Sequence, residues 1–135
     1  MFSILISIVD DDPVVREATA DLLSSLGYKA LEFESAEEFL DSGHITNTGC
    51  LITDQQLPGL SGLELQNQLY ADGYLTPIIF ITAFPEPGIR KRALDAGAVA
   101  FLTKPFEQAD LLNSIESAFS DTRSIPVTRI SGDRT

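Results

Sequence analysis

The stretch "SIVDDDP", residues 7–13, passes from an apolar run directly into three consecutive aspartates and a proline. Carboxylates this close repel one another, so the cluster by itself does nothing for folding. Asp12 is explained as the N-cap of a helix that begins at Pro13. The stretch therefore predicts a strand, a helix after it, and two acids, Asp10 and Asp11, that need a different explanation.

Short apolar runs alternate with segments of helical period along the chain. The predicted strands are residues 4–9, 28–33, 50–53, 77–82 and 99–103, and the predicted helices are residues 13–26, 35–42, 62–70, 88–96 and 108–119. Most of the runs are apolar throughout, which is typical of parallel strands that are covered on both faces. This alternation predicts a flavodoxin-like, doubly wound α/β fold, (βα)5, with a five-stranded parallel sheet in the order 2-1-3-4-5.

The first predicted helix carries apolar residues spaced four apart, at Val14, Ala18, Leu22 and Leu26. This spacing places them on one apolar stripe of the helix. The regular pattern ends near residue 119, so residues 1–119 are predicted to form one domain. Residues 120–135 have no period and are rich in Ser, Thr, Asp and Arg, which favours a flexible tail or the start of a linker.

Composition and charge narrow the classes of function. Nine Lys and Arg stand against twenty Asp and Glu in 135 residues, a net charge of −11. An acidic surface repels phosphate backbones, so we expect no direct binding to nucleic acid. No apolar run approaches the roughly 20 residues that span a bilayer, so no membrane association is expected. The single cysteine, Cys50, cannot form an internal disulfide and favours a reducing, cytoplasmic location.

Polar side chains stand at the carboxyl ends of four of the five predicted strands. Asp10 and Asp11 follow the first strand, and Asp54 follows the third. Thr82 ends the fourth strand, and Lys104 follows the fifth. In a doubly wound sheet, ligands bind beyond the carboxyl ends of the strands. The sequence therefore predicts that these side chains converge on one shallow pocket.

These residue types together indicate phosphoryl chemistry. Carboxylate oxygens bind Mg²⁺, and the metal removes the repulsion within the aspartate cluster. One oxygen of Asp54 can then ligate the metal while the other attacks a phosphorus atom, which gives an aspartyl phosphate. The metal, Lys104, and the Thr82 hydroxyl with the backbone N–H of Ala83 would neutralise the three phosphoryl oxygens.

Several motifs in this order resemble the receiver domain of two-component response regulators. They are "VDDDP", "TDQQLPGLSG", "ITA" and "LTKPF", the last within "ALDAGAVAFLTKPF", and the resemblance covers residues 7–119. The segments "SAEEFL" and "KPFEQADLL" are most similar to receivers of helix-turn-helix transcription regulators. The resemblance implies a phosphoprotein of a phosphorelay that is not an enzyme, beyond weak self-phosphorylation from small donors and self-dephosphorylation.

The same resemblance implies a phosphoacceptor and a metal site. Asp54 would be the phosphoacceptor. Asp11, Asp54 and the backbone carbonyl of Gln56 would ligate Mg²⁺ directly, with Mn²⁺ as a substitute. Asp10 would act chiefly through a bound water.

The resemblance also implies a switch and a backbone feature. Lys104 would pair with the phosphoryl group, and Thr82 would be the switch hydroxyl. Phe101 matches the switch aromatic, which turns inward when Thr82 moves toward the phosphoryl group. A cis peptide is implied between Lys104 and Pro105, where proline lowers the usual cis penalty.

The implied partner is a histidine kinase or a histidine phosphotransfer protein, and a homodimer through helix 4, strand 5 and helix 5 is a family-level expectation. Two other functions stay open at this point. One is a receiver that acts as an interaction module without phosphorylation. The other is a Mg²⁺-dependent phosphohydrolase with an aspartyl nucleophile, although Gln56 stands where that chemistry needs an acid.

Two positions depart from the pattern of the family. Gln55 follows the expected acceptor, where an apolar residue is usual, and Phe84 lies near Thr82, where small or polar residues are commoner. We expect Phe84 to slow self-dephosphorylation by shielding the acyl phosphate.

Overall fold

The computed structural model describes residues 4–124, with side chains as far as residue 120. Five strands and five helices alternate along the chain. They are β1 (Leu5–Val9), α1 (Pro13–Ser25), β2 (Lys29–Phe33), α2 (Ala36–Asp41), β3 (Cys50–Asp54), α3 (Gly62–Ala71), β4 (Ile78–Thr82), α4 (Pro87–Asp95), β5 (Ala100–Thr103) and α5 (Gln108–Ser124). All strand pairs are parallel, and the sheet has the order β2-β1-β3-β4-β5, which confirms the predicted flavodoxin-like fold.

The apolar runs form the centre of the sheet because both of its faces are covered. Every residue of β3 and β4 is buried, whereas the edge strands β2 and β5 are only partly buried. On one face, Ile8 and Ile52 pack with α1 and α5. On the other face, Leu51 and Phe80 pack with α2, α3 and α4. The alternation of side chains along each strand divides the core into these two clusters.

Most of the apolar stripe of α1 lies outside the core. Val14 is 75% exposed and Leu26 is 43% exposed, while the buried residues of this helix include Thr19 and Leu23. Thr19 can face the core because its hydroxyl donates to the Val15 carbonyl at 2.8 Å, which satisfies its polar group within the helix. Val14, Ala18 and Leu22 of this stripe lie on the side of α1 that faces the loop between β5 and α5, and Leu22 also packs against the core.

Helix α5 continues five residues past the predicted end at residue 119. Its last residue is Ser124, so the predicted tail begins inside the helix. The sequence has neither glycine nor proline between residue 119 and Ser124, and nothing there breaks a helix. The rest of the predicted tail, residues 125–135, lies outside the described residues.

Local signals set the start of the helices, and the predicted N-cap of α1 is confirmed. The Asp12 carboxylate accepts a hydrogen bond from the Val14 N–H at 3.0 Å, and Pro13 opens α1. Ser61 and Glu64 form a reciprocal capping box at the start of α3. None of the helices in residues 4–124 combines the length and hydrophobicity that a membrane span requires.

Candidate functional site

Four strand ends meet at the carboxyl edge of the sheet, as the sequence predicts. Asp10 follows β1, and Asp54 is the last residue of the neighbouring strand β3. Thr82 ends β4, and the register pairs it with Thr103, the last residue of β5 before Lys104. The topology therefore brings together residues that lie as far as 94 positions apart in the chain.

The Lys104 ammonium lies between two buried carboxylates. Its Nζ donates to the Asp54 Oδ2 at 2.7 Å and to the Asp10 Oδ2 at 3.0 Å. Asp10 is fully buried and Asp54 is 6% exposed. The carboxyl edge of the sheet thus holds two acids that water does not solvate, with one cation to compensate them.

The electrostatics of this cluster follow from burial and pairing. Burial raises the pKa of Asp54, and the hydrogen bond and charge of Lys104 oppose this rise only in part. Burial alone would lower the pKa of Lys104, but the hydrogen bonds and charges of Asp54 and Asp10 outweigh it and raise that pKa. Lys104 therefore stays protonated across the neutral pH range.

Backbone groups hold the remaining carboxylate oxygens in place. The Asp54 Oδ1 accepts a hydrogen bond from the Gln56 N–H at 3.1 Å. The Asp10 Oδ1 accepts one from the Asp12 N–H at 2.9 Å. Both carboxylates are thereby oriented by the turn that follows their own strand.

The aspartate cluster fits a divalent cation. Asp10, Asp11 and Asp54 each offer one carboxylate oxygen, and these oxygens all lie within 4.8 Å of one another. Asp11 is exposed, so the cluster opens to solvent on one side. Hard oxygen donors with an open side suit Mg²⁺, which keeps several waters in its coordination shell.

The Thr82 hydroxyl is bonded to the loop after β3. It donates to the Gln56 Oε1 at 2.6 Å and accepts from the Phe84 N–H at 3.1 Å. Thr82 is buried, whereas Gln56 and the residue that follows β4, Ala83, are exposed. The predicted switch hydroxyl is thus at the site, and its hydrogen points to a glutamine side chain.

The predicted switch aromatic lies on β5, the strand next to the one that ends at Thr82. Phe101 is half-buried on β5, and its ring stacks on Phe80 with centroids 5.5 Å apart. The peptide between Lys104 and Pro105 is cis, as expected. Phe101 is therefore connected through Phe80 to the same core cluster that supports β3 and β4.

A comparison with protein families agrees with this geometry. Residues 6–116 match the family model described as the response regulator receiver domain. The chain belongs to this family. Receiver domains are signalling domains of two-component systems, so the proposed resemblance is confirmed.

Relatives of the receiver domain include transcription regulators. The response regulator protein TmoT of Ectopseudomonas mendocina is 42% identical over 114 residues, 84% of this chain and 52% of the relative. The transcriptional regulatory protein FixJ of Azorhizobium caulinodans is 35% identical over 139 residues, 96% of this chain and 66% of the relative. The chain thus spans about half to two thirds of the length of these relatives.

A solved structure supports the same assignment. The low-resolution structure of the response regulator StyR is 41% identical to the receiver domain and superposes with a TM-score of 0.82. The match covers 90% of this chain and 63% of that chain. The predicted likeness to receivers of transcription regulators is confirmed by the names of the relatives.

The unusual Gln55 has a structural role in this receiver domain. It is buried, and its Oε1 accepts a hydrogen bond from the Leu63 N–H at 2.8 Å, in the first turn of α3. Gly62 lies beside it, and a Cβ there would come within 2.5 Å of the Asp54 carbonyl oxygen. Gln55 therefore fits a buried position by satisfying one of the free amides at the start of α3.

Two supporting residues were not found from the sequence. Arg16 donates from Nη1 to the Asp10 carbonyl at 2.8 Å, and its Nε pairs with Glu32 at 3.4 Å. Glu37 accepts a hydrogen bond from the Leu60 N–H at 2.9 Å, in the loop after Asp54. Both are ordinary helix residues by their spacing, and only the packing of their helices brings them to the site.

An apolar groove of about 580 Å³ adjoins the site. We call it the α1 groove; its lining includes Val14, Ala18, Leu22, Lys104, Pro105 and Phe106. Three of the four residues of the apolar stripe of α1 therefore line this groove. Phe84 is 70% exposed near the same edge of the sheet, so its side chain lies in solvent in this state.

Proposed function

We propose that the receiver domain accepts a phosphoryl group on Asp54 in a Mg²⁺-dependent phosphorelay. The observation that carries this proposal is the pairing of the buried Asp54 carboxylate with the Lys104 ammonium, 2.7 Å away, beside two further acids. A buried carboxylate with a cation on one side and an opening to solvent on the other is arranged to act as a nucleophile.

In the proposed reaction, an Asp54 carboxylate oxygen attacks the phosphorus of the donor. The new O–P bond forms as the P–N bond of a phosphohistidine breaks, and the electron pair returns to the imidazole nitrogen. The attack needs the ionised carboxylate, and Lys104 favours that form against the effect of burial. Lys104 then pairs with one phosphoryl oxygen, while the Thr82 hydroxyl and the Ala83 N–H can pair with another.

Asp10, Asp11, Asp54 and the backbone carbonyl of Gln56 would hold the Mg²⁺ ion, or Mn²⁺ in its place. When bound, the ion supplies positive charge that neutralises the aspartates and the transferred group. The support for this assignment is the set of three carboxylate oxygens within 4.8 Å of one another.

The proposed donor is a histidine kinase or a histidine phosphotransfer protein in the cytoplasm. A donor histidine must come within bonding distance of Asp54, and the α1 groove is lined in part by Lys104, whose Nζ lies 2.7 Å from the Asp54 Oδ2. Exposed Val14 and the other apolar residues of the groove would pack against the donor protein. The free thiol of Cys50 is in keeping with a reducing compartment.

The proposed output is a change on the face formed by α4, β5 and α5. Phosphorylation would draw Thr82 toward the phosphoryl group and Phe101 further inward. We also propose that two copies associate through this face. This proposal is supported by the basic residues Arg90, Lys91 and Arg92 of α4, which can pair with acidic side chains of the second copy, whose net charge is −11.

The first test is the intact mass after incubation with acetyl phosphate, with and without Mg²⁺. We expect one phosphoryl adduct that requires Mg²⁺, is cleaved by hydroxylamine and is lost in Asp54→Asn. The matched control is Asp12→Asn, because Asn is as good an N-cap as Asp and should leave the adduct unchanged. An adduct that persists in Asp54→Asn would overturn the assignment of the acceptor.

If no adduct forms, a purified histidine kinase is the second donor to try. Failure with both donors, while Mg²⁺ still binds, would favour the alternative of an interaction module without phosphorylation. Repeated turnover of the donor without an adduct would favour the phosphohydrolase.

A further inference from the structure

The Thr82 hydroxyl makes two hydrogen bonds, one as an acceptor and one as a donor. It accepts the Phe84 N–H at 3.1 Å, and its single hydrogen goes to the Gln56 Oε1 at 2.6 Å. A hydroxyl group has only one hydrogen to donate. A phosphoryl oxygen on Asp54 would need that same hydrogen, so it competes with the side chain of Gln56.

Gln56 also touches the acceptor itself. Its backbone N–H donates to the Asp54 Oδ1 at 3.1 Å, while its side-chain amide holds Thr82. One residue therefore connects the acceptor carboxylate with the switch hydroxyl, across loops that are 26 positions apart. The backbone contact belongs to any residue at this position, whereas the contact with Thr82 depends on the amide.

We infer that the side chain of Gln56 is a latch that holds Thr82 in the unphosphorylated arrangement and so sets the switching equilibrium. This inference rests on the proposed function, because the latch matters only if a phosphoryl group competes for the hydroxyl. Gln56 is a positioning residue in this role, since it acts on the phosphoryl group through Thr82. Its exposure keeps the latch reversible, because water can replace the amide when Thr82 leaves.

The size of the effect follows from the net value of one side-chain hydrogen bond. Breaking such a bond when the freed amide meets water shifts an equilibrium by roughly two- to ten-fold. Removing the amide should therefore strengthen binding of a phosphoryl group by that factor.

The test compares Gln56→Met with wild type. Methionine has a similar length and no oxygen that can accept the Thr82 hydrogen. The first readout is the χ1 rotamer of Thr82, from three-bond couplings in the metal-free chain. The second is the concentration of beryllofluoride, a tetrahedral mimic of a phosphoryl group, that half-saturates the chain with Mg²⁺. The matched control is Gln68→Met, because Gln68 is an exposed α3 residue that bonds only locally, to Asp72.

We expect Gln56→Met to redistribute the Thr82 rotamer and to lower the half-saturating concentration roughly two- to ten-fold. Gln68→Met should change neither. Gln56→Glu keeps an acceptor oxygen and should keep the wild-type rotamer in the metal-free chain. In a Thr82→Ala background, Gln56→Met should no longer affect beryllofluoride binding, since there is no hydroxyl left to hold.

The two readouts separate failure of the latch from failure of the proposed function. If wild type does not bind beryllofluoride at all, the proposed function fails, and with it the role of the latch in switching. If wild type binds but Gln56→Met binds no more tightly, or if the Thr82 rotamer is the same in both, the latch is overturned and the phosphoacceptor proposal stands.

Discussion

The Lys104 Nζ lies 2.7 Å from the Asp54 Oδ2, and the same ammonium reaches the buried Asp10 at 3.0 Å. Without a metal ion, this one cation compensates two carboxylates that are almost fully withdrawn from water. Removing one partner of such a group leaves an uncompensated buried charge, which costs more than the pairing itself contributes.

We therefore expect Lys104→Met to lower the free energy of unfolding by about 1–3 kcal/mol in the absence of Mg²⁺. Saturating Mg²⁺ should stabilise the variant more than wild type, because the metal supplies the missing positive charge. Urea unfolding with and without Mg²⁺ measures both effects.

Lys91→Met is the control for this prediction. Lys91 pairs with Asp95 at 2.6 Å, but both side chains are well exposed, so solvent screens the pair. Its loss should leave the unfolding free energy almost unchanged. Equal behaviour of the two lysine variants would contradict the role assigned to Lys104.

Gly62 lies against the backbone of Asp54, where there is no room for a side chain. A Cβ there would lie 2.5 Å from the Asp54 carbonyl oxygen, and a backbone oxygen cannot move aside as a flexible side chain can. We expect Gly62→Ala to destabilise the domain by about 1–3 kcal/mol through overpacking, measured by thermal or urea unfolding.

Gly88 provides the matched control, since it lies in the first turn of α4 and a Cβ added there would meet nothing within 4 Å. Gly88→Ala should be neutral or stabilise by roughly 0.4–1 kcal/mol, because alanine has less freedom to lose in a helix. If Gly88→Ala destabilised the domain as much as Gly62→Ala, the cost at Gly62 would come from the lost backbone freedom of glycine and not from contact with Asp54.

The two sides of α1 should respond differently to truncation. Leu23 is fully buried, so Leu23→Ala should cost about 2–5 kcal/mol by leaving a cavity. Val14 lies exposed in the α1 groove, and Val14→Ala should change stability by less than about 0.5 kcal/mol. Urea unfolding of both variants tests which side of the helix faces the core. Similar losses of unfolding free energy would mean that Val14 is as buried as Leu23.

The thiol of Cys50 should be unreactive while the chain is folded. Burial raises its pKa from 9.0 to about 12, and only the thiolate reacts quickly. Ellman's reagent at pH 8 should label the unfolded chain in guanidinium rapidly and the native chain only through unfolding. Rapid labelling of the native chain would show that β3 opens at its first residue.

Burial of the Cys50 thiol also makes the free energy of unfolding depend on pH in the alkaline range. The unfolded thiol ionises near pH 9, whereas the folded thiol keeps its proton up to about pH 12, so the unfolded state gains stability between these values. Relative to Cys50→Ala, wild type should lose about 1.4 kcal/mol of unfolding free energy between pH 8 and pH 10. A difference that is independent of pH would contradict this.

The meeting of the strand-end residues at one edge of the sheet could be predicted because it depends on topology and not on side-chain rotamers. Solid apolar runs indicate a parallel sheet, and a parallel sheet places Asp10, Asp54, Thr82 and Lys104 at one edge whatever the rotamers are. The spacing of Val14 and its stripe defines a face of α1, but it does not say how the helix is rotated on the sheet.

The contacts of the loop after β3 could not be predicted in the same way. The bond from Thr82 to Gln56 and the bond from Leu60 to Glu37 join segments 26 and 23 positions apart. Each depends on the path of a loop and on one rotamer, and neither leaves a periodic pattern in the sequence. The sequence pattern also could not show that Gln55 is buried, because a buried glutamine needs a partner, here the Leu63 N–H that donates to its Oε1.

Strand β5 occupies the end of the sheet, paired with β4 on one side only, and its four residues are half-buried or exposed. Half of its amides therefore have no neighbouring strand, and local opening of β5 costs less than opening of the central strands. In amide hydrogen exchange, this strand should lose protection before β1 and β3 do. The proposed switch residue, Phe101, is thus carried by a segment that can rearrange while the middle of the sheet, and the aspartates on it, stay in place.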